Sequence, residues 1–215
     1  MPLATQLEDK ATTLDRKRYD RIAWIYDLLD SFMDLWARAW RRDLWSRVSA
    51  GRVLELGIGT GKNIPFHPRG CDVVGADLSP QMLERARRRA SRERSSVHLE
   101  LADAQRLPFG DASFDVIVAS FLFCSVPDPV LGLREARRVL KPGGRILLLE
   151  HVRSDHRWLG WVMHLLDPIP FRIWGAHIDR DTVTNVRAAG FVDVSATRLA
   201  FDVVKRIEAR SPTTS

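Results

Sequence analysis

Three glycines follow an apolar run in the stretch VLELGIGTGKNIP, residues 53–65. Gly57, Gly59 and Gly61 are separated by single residues, and Glu55 stands two places before the first. Glycine lets a backbone adopt positive φ angles and approach a ligand without interference from a Cβ atom. The spacing differs from the G-x-G-x-x-G of dinucleotide loops, and a plain turn would also explain a glycine triplet. The loop alone therefore indicates a nucleotide-like ligand only weakly.

Two further acidic residues stand where the next β-rich runs end. Asp77 closes DVVGAD, where its carboxylate can accept hydrogen bonds from both hydroxyls of a ribose. Asp103 and Ala104 follow VHLELA, where they can meet the edge of an adenine ring. Ligands of open parallel sheets bind beyond the carboxyl ends of the strands. These residues therefore form one ordered series with the glycine loop.

The elements that must position this series alternate between strand and helix patterns. Five strands are predicted, at residues 53–57, 72–77, 97–103, 114–120 and 144–152. Helical spacing follows Ser79 and Asp128, which are both good N-caps and are both followed by proline. KPGG, at 141–144, is expected to end the second of these helices at a glycine turn. With a helix and a paired hairpin at 181–211, the pattern predicts an α/β fold with a mostly parallel sheet.

The chain of 215 residues is predicted to form one domain with four regions. These are an N-terminal amphipathic helical lid (1–48), a ligand-binding core (49–152), an aromatic segment (153–180) and a C-terminal helix with a hairpin (181–215). Two cysteines without a C-x-x-C pair favour a reducing, cytoplasmic setting. No apolar run reaches the roughly 20 residues of a membrane span, so we expect the chain not to cross a membrane.

Charge and tryptophan content suggest possible partners. The net charge of +6 fits nucleic acid, an anionic lipid surface or simple solubility. All seven tryptophans lie outside the core region, near basic residues such as Arg38, Arg41 and Arg42. This composition is typical of a helix at a membrane interface, although an aromatic core in a helical cap would also explain it. Nucleic acid is disfavoured, because the arginine-rich stretch 84–94 should lie away from the mouth of the site.

The ordered series resembles the class I S-adenosylmethionine (SAM) dependent methyltransferases. VLELGIGTG, VVGADLS, ADAQRLPFGDASFDVIVAS and LREARRVLKPGGRILLLE match that family's successive motifs. The resemblance implies a Rossmann-like fold of seven strands with helices on both faces, and SAM as cofactor. It places Gly57 and Gly59 under the methionine part, Asp77 at the ribose, Met82 on the adenine and Ser120 below the sulfonium. The cofactor-binding positions expected on this basis are Glu55, Gly57, Gly59, Gly61, Asn63, Asp77, Leu78, Met82, Asp103, Ala104 and Ser120.

A narrower resemblance concerns the methyl acceptor. YDRIAWIYD, GIGTGKNIPFHP, SFLFCSVPDP, LLLEHVRS and GAHIDRDT are similar to bacterial phosphatidylethanolamine N-methyltransferases of the soluble, quinone-methyltransferase-like subtype. That family implies stepwise methylation of phosphatidylethanolamine towards phosphatidylcholine, with S-adenosylhomocysteine as the second product. The partners implied are a phospholipid substrate and an anionic membrane surface, with the enzyme peripheral on the inner face of the cytoplasmic membrane. The alternative is a hydrophobic small-molecule acceptor, a quinone precursor or a thiol.

Three residues are candidates for the chemistry at the acceptor. Tyr19, followed by Tyr26, would hold a methylated ammonium group by cation–π attraction. His151, at the end of the fifth strand, would accept the amine proton directly or through water. A polar residue satisfied at a strand end is the structural alternative for His151.

The substrate-binding candidates are Arg180 for the lipid phosphate, Arg153 behind it, and Trp24. Arg180 has a surface ion pair as its structural alternative. The stretch ASFLFCSV, where the fourth strand ends, contains no carboxylate, so no metal is expected. Cys124 lies in an apolar motif and is not expected to act as a nucleophile, since methyl transfer from SAM is direct.

Overall fold

A seven-stranded sheet forms the centre of the molecule. The computed structural model describes residues 37–154, 156–167, 180–200 and 202–213. The strands are β1 (Arg52–Leu56), β2 (Asp72–Asp77), β3 (His98–Leu101), β4 (Phe114–Ser120), β5 (Leu140–His151), β6 (Val192–Ala200) and β7 (Val204–Arg210). Their order is β3-β2-β1-β4-β5-β7-β6. The first five are parallel, and β7 runs antiparallel to both of its neighbours. The predicted mostly parallel sheet with a C-terminal hairpin is confirmed.

Helices follow the strands much as the sequence predicts. Residues 37–46 are helical and are called α1. The others are α2 (Pro80–Glu93), α3 (Pro129–Val139), α4 (Arg157–Leu166) and α5 (Thr182–Ala188), with a short 3-10 helix at Ile64–Phe66. The Ser79 hydroxyl accepts the N–H of Met82 at 3.2 Å, and the Asp128 carboxylate accepts the N–H of Leu131 at 2.9 Å. Both predicted N-caps are confirmed, because each satisfies a backbone donor that the first helical turn leaves without a partner.

Alternate residues of the central strands pack against opposite faces of the sheet. Val53 joins a buried cluster with Leu44 and Trp45 of α1. Leu54, its neighbour in β1, joins the larger cluster that contains Leu133 of α3 and Val186 of α5. Successive side chains of a strand point to opposite faces, so helices cover both sides of the sheet, as expected.

The KPGG sequence does not end α3 in the predicted way. The helix ends at Val139, and the next residue, Leu140, is already extended and pairs with Phe114 as the first residue of β5. Gly143, with φ of +72°, lies inside that irregular start and donates its N–H to the carbonyl of Ser211. Regular pairing with β4 resumes at Arg145. The glycines therefore shape a bulge that also anchors the end of the chain.

Parts of the two aromatic regions lie within the described residues. The predicted N-terminal lid is described only from residue 37, and the aromatic segment contributes α4. Tyr19, Trp24 and Tyr26 lie outside the described residues. Among the helices that are described, none combines the length and apolar character needed to cross a bilayer.

Leu148 of β5 provides a test of the packing. Its side chain is fully buried in the larger cluster, so Leu148→Ala should lower the free energy of unfolding by about 2–5 kcal/mol. Leu101 of edge strand β3 is 51% exposed, and Leu101→Ala should cost about 0.5 kcal/mol or less. Urea denaturation of both variants measures the difference. Similar losses in the two variants would contradict the placement of β5 at the centre of the core.

Candidate active site

A cavity of about 440 Å³ opens at the carboxyl ends of the parallel strands. Strand order reverses between β1 and β4, and the loops after these two strands both line the cavity. In open α/β sheets this switch point is where ligands bind. The fold therefore brings the residues predicted from separate strand ends to one place.

Two glycines of the loop after β1 serve different purposes. Gly59 lines the cavity with φ of +55°, and a Cβ built there would meet no atom nearer than the Gly57 carbonyl oxygen at 3.9 Å. Gly61, with φ of +79°, instead faces α2, where a Cβ would lie 3.1 Å from the Cα of Ala86. Gly59 thus leaves room for a ligand, whereas Gly61 lets α2 pack closely and does not line the cavity.

Asp77 connects the ends of β1 and β2. Its Oδ2 accepts the N–H of Gly59 at 2.8 Å, and its Oδ1 accepts the N–H of Ser79 at 2.9 Å. Burial raises the pKa of Asp77 to about 6, although both of these backbone hydrogen bonds act in the opposite direction. The carboxylate lines the cavity, and each oxygen retains a lone pair for a hydroxyl of the ligand. This geometry fits the predicted ribose contact.

The adenine side of the cavity contains the remaining predicted contacts from β2 and β3. Leu78, Met82, Asp103 and Ala104 all line it, and Met82 is buried between α2 and the cavity. The Asp103 carboxylate also accepts the backbone N–H of Gln105 at 2.8 Å, which fixes the turn after β3. An apolar side chain facing an acidic turn suits the flat face and polar edge of an adenine.

Glu55 and Asn63 lie behind the glycine loop rather than at the cavity wall. Glu55 is fully buried, where its Oε1 accepts from the amide of Asn63 at 2.7 Å and its Oε2 pairs with Nε2 of His67 at 2.8 Å. The Asn63 amide also reaches the hydroxyl of Ser120 at 3.2 Å. Their predicted contact with the cofactor is corrected to a supporting role, because both side chains are engaged inside the fold.

The other half of the cavity is largely apolar. Most of its lining residues come from α1, the loop after β4, and the β6–β7 turn and are apolar: Ala37, Trp40, Phe121, Leu122, Cys124, Val126, Pro127, Ala200, Val203 and Val204. The same elements also contribute Arg41 and Ser125. Ser120 and His151 stand beside them at the strand ends. The His151 ring lies 4.8 Å from that of Phe121, centroid to centroid. His151 thus lies at the wall where a residue that accepts a proton from the methyl acceptor is expected.

Phe121 was not singled out in the sequence, yet it occupies a special position. Its φ is +55°, and its N–H donates to the carbonyl of Leu149 at 2.7 Å. A bulky residue in the left-handed region costs free energy and persists where the surrounding structure imposes it, commonly at functional sites. This conformation turns the chain after β4 so that the following loop lines the cavity.

The loop after β4 is held by a buried carboxylate that the sequence analysis also missed. Oε1 of Glu150 accepts the N–H groups of Leu122 and Phe123, both at 3.0 Å. Burial raises the pKa of Glu150 to about 7. Burial also raises the pKa of the Cys124 thiol, which agrees with the expectation that Cys124 is not a nucleophile. Glu150 directly follows the apolar run ILLL, and an acidic residue next to such a run was the sequence signal that could have identified it.

The predicted substrate arginines do not line the cavity. Arg180 donates from Nη2 to the carbonyl of Val126 at 3.3 Å and therefore braces the loop after β4. Arg153 is exposed, and its N–H donates to the carbonyl of Arg180. Their predicted role in direct phosphate binding is not supported by this placement, because their side chains do not reach the cavity wall. Trp24, Tyr19 and Tyr26 lie outside the described residues.

The metal-free mechanism stays a prediction. Within the described ranges, no group of three or more His, Cys, Asp or Glu side chains could hold a metal ion. The sequence argument against a metal rested on the apolar loop after β4, and that loop indeed contributes no carboxylate to the cavity lining.

The strand order, the glycine loop and Asp77 at the end of β2 define the fold of the class I SAM-dependent methyltransferases. Residues 54–148 match a family model described as a methyltransferase domain. A SAM-dependent methyltransferase from Thermotoga maritima superposes with a TM-score of 0.71 at 22% identity, covering 92% of this chain and 99% of that one. This likeness shows the fold. Together, fold and family model imply SAM as the methyl donor, and the residues of the cavity fit it.

Curated relatives resemble the central part of the chain. A demethylmenaquinone methyltransferase from Deinococcus radiodurans is 40% identical over 150 residues, which cover 66% of this chain and 62% of the relative. A phosphatidylethanolamine N-methyltransferase from Cereibacter sphaeroides is 39% identical over 119 residues, which cover 54% of this chain and 59% of the relative. The chain thus spans about three fifths of the length of these relatives.

Asp77 predicts a pH-dependent affinity for the product S-adenosylhomocysteine. The ionised carboxylate would accept from both ribose hydroxyls, so affinity should approach its maximum about one pH unit above 6 and fall, by up to about tenfold per pH unit, as Asp77 becomes protonated at lower pH. Asp77→Asn should weaken binding about 10- to 100-fold at pH 8 and flatten the profile between pH 5 and 7.

Titration calorimetry across this pH range measures both effects. Asp72, at the exposed start of the same strand, provides the matched control, and Asp72→Asn should leave the profile unchanged. A wild-type affinity that stays constant from pH 8 to pH 5 would contradict the assigned contact.

Proposed function

We propose that this protein transfers the methyl group of SAM to a hydrophobic aromatic small molecule, a reduced quinone precursor. The observation that carries this proposal is the composition of the acceptor half of the cavity. It combines an apolar lining and the Phe121 ring with His151, an ionisable side chain at the wall where the acceptor should lie. This proposal ranks a quinone precursor above phosphatidylethanolamine, which the sequence analysis favoured as the acceptor.

The charge of the acceptor half favours a neutral or anionic acceptor over a cationic one. Among the described residues that line it, none carries a carboxylate. Phosphatidylethanolamine becomes a permanent cation when its third methyl group is added, and the described part of this half offers such a cation aromatic faces but no acidic group. A reduced quinone has a flat, apolar ring and weakly acidic hydroxyls, which match an aromatic wall beside a histidine.

The residues present can support ring methylation. Loss of the proton from a ring hydroxyl makes the neighbouring ring carbon nucleophilic, and His151 is positioned to accept that proton. That carbon would displace S-adenosylhomocysteine from the methyl group in line with the sulfur, and loss of the carbon's own hydrogen as a proton would restore the aromatic ring. Catalysis would then consist mainly of alignment and exclusion of water. The Phe121 ring and the loop that Glu150 anchors would supply this alignment.

The relatives support the same choice at a coarser level. Three relatives named as demethylmenaquinone or ubiquinone/menaquinone methyltransferases match over 139 to 150 residues at 38–40% identity. The chain covers less than two thirds of their length, so acceptor identity is inferred here from the cavity and only supported by their names.

Phosphatidylethanolamine is the second candidate. One relative at 39% identity bears that activity in its name. In addition, α4 presents an apolar surface, with Trp158 70% exposed and Trp161 66% exposed, and with Leu165 and Leu166 also exposed. Both acceptors partition into bilayers, so this surface suits either one.

A direct competition between acceptors tests the proposal. Labelled SAM is incubated with vesicles that contain both phosphatidylethanolamine and a prenylated naphthoquinol lacking its ring methyl group, and the products are separated by chromatography. We expect label in the quinol, and a His151→Phe variant should lose at least about 100-fold in kcat/KM with unchanged S-adenosylhomocysteine affinity. Label found in mono-, di- and trimethylated lipid instead would make phosphatidylethanolamine the acceptor.

The exposed tryptophans of α4 also predict binding to a membrane surface, which remains part of the proposal. Trp158, Trp161 and Leu165 follow helical spacing, so they share one side of α4, and a helix of this kind places its tryptophans at the headgroup level. Replacement of Trp158 and Trp161 by alanine should reduce cosedimentation with vesicles of phosphatidylglycerol and phosphatidylethanolamine by at least about tenfold. Leu101→Ala, on an edge strand, is the control and should bind as the wild type does. Equal binding by all three proteins would remove α4 from the membrane contact.

A further inference from the structure

Arg41 brings a buried cationic group to the cavity wall. Three arginines of the sequence region interpreted as a basic lid lie on α1, and the structure separates them. Arg38 and Arg42 are exposed, with their guanidinium groups 6.0 and 5.7 Å from the centroid of the Phe66 ring. Arg41 is only 9% exposed and lines the cavity. Its expected role at an anionic lipid surface is therefore corrected, because the side chain points into the protein.

A chain of hydrogen bonds fixes the position of this guanidinium group. Nη1 of Arg41 donates to the amide oxygen of Asn63 at 3.1 Å. The amide nitrogen of Asn63 donates in turn to Glu55 at 2.7 Å and to the Ser120 hydroxyl at 3.2 Å. The Arg41 guanidinium also lies 5.3 Å from the centroid of the Phe121 ring. These contacts anchor it where β1 and β4 end.

The order of the strand ends determines which part of SAM faces Arg41. The turn with Asp103 follows β3, and Asp77 ends β2, so the adenine and the ribose occupy that side of the sheet. The methionine part, at the other end of the same molecule, must then extend over β1 towards β4. That part carries a carboxylate, and a planar guanidinium group matches a carboxylate with two parallel hydrogen bonds.

We propose that Arg41 binds the carboxylate of the methionine part of SAM and that Asn63 positions it for this contact. The inference rests on SAM as the donor and is independent of the acceptor. It gives α1 a function in donor binding. It also gives a purpose to the hydrogen bond between Glu55 and Asn63 behind the glycine loop, because that bond orients the Asn63 amide towards Arg41.

Among the described residues that line the cavity, Lys62 is the other cation at this part of the wall. It is half-exposed, and its ammonium group is a point charge without the fork of a guanidinium group. The proposal assigns the carboxylate to Arg41, so Lys62→Gln should change affinity by about threefold or less. Arg42→Gln removes an equal charge one residue away on the exposed side of α1 and serves as the matched control.

Two ligands that differ only in the carboxylate test the assignment by calorimetry. S-adenosylhomocysteine carries the group, and its decarboxylated analogue keeps the adenosine, the sulfur and the amine. Arg41→Gln should weaken S-adenosylhomocysteine binding about 10- to 100-fold and the analogue by about threefold or less. Asn63→Ala should show the same selectivity to a smaller degree. Arg41→Lys, which retains the charge, should show an intermediate selective loss and decides the matter if Arg41→Gln does not fold.

Three outcomes would overturn the proposal. An equal loss for both ligands would show that Arg41 only maintains the shape of the pocket. Unchanged S-adenosylhomocysteine affinity with a raised KM for the acceptor would assign Arg41 to the acceptor. Wild-type protein that binds neither ligand would overturn SAM as the donor and this proposal with it, whereas the first two outcomes leave the proposed methyl transfer intact.

Discussion

The carboxylate of Asp77 joins the parts on which the rest of the site depends. It accepts one backbone N–H from the loop after β1 and one from the start of the segment that leads into α2. Two strand ends and a helix are thereby held in one arrangement before any ligand arrives. The same carboxylate faces the cavity, and its raised pKa shows the free-energy cost of keeping a charge there. Structure and ligand recognition therefore depend on one side chain.

The sequence predicted this frame well, for a physical reason. Strand ends, N-caps and glycine turns are local features, and the topology of a parallel sheet brings successive strand ends to the same edge. Asp77, Asp103 and Ser120 could therefore be placed at one site without knowledge of the packing. The same reasoning also placed Glu55 at the ligand, whereas its side chain is buried inside the fold. A residue beside a glycine loop can point in either direction.

The remaining features depend on side-chain direction, which no local pattern encodes. Nothing in the sequence distinguishes Arg41 from Arg38 and Arg42, since only the rotation of α1 against the sheet turns one of the three inward. Phe121 belongs to an apolar run, and its left-handed backbone follows from the turn that β4 must make under the loop. The tryptophans show the same division, since Trp45 is fully buried against His67 whereas Trp158 faces solvent. Trp45 thus fits the interpretation as an aromatic core, whereas contact of the exposed tryptophans with a membrane stays a prediction.

The two halves of the cavity are synthesised at different times, because the β6–β7 turn comes late in the sequence. Everything assigned to the donor is contained in residues 37–120, whereas Ala200, Val203 and Val204 complete the wall of the acceptor half. During synthesis, at about 5–20 residues per second, the ribosome adds the last of these about 4–17 s after Ser120. A nascent chain thus contains every donor-binding residue before it has an acceptor site. Residues near the hairpin can accordingly be changed to alter the acceptor half without changing any residue assigned to the donor.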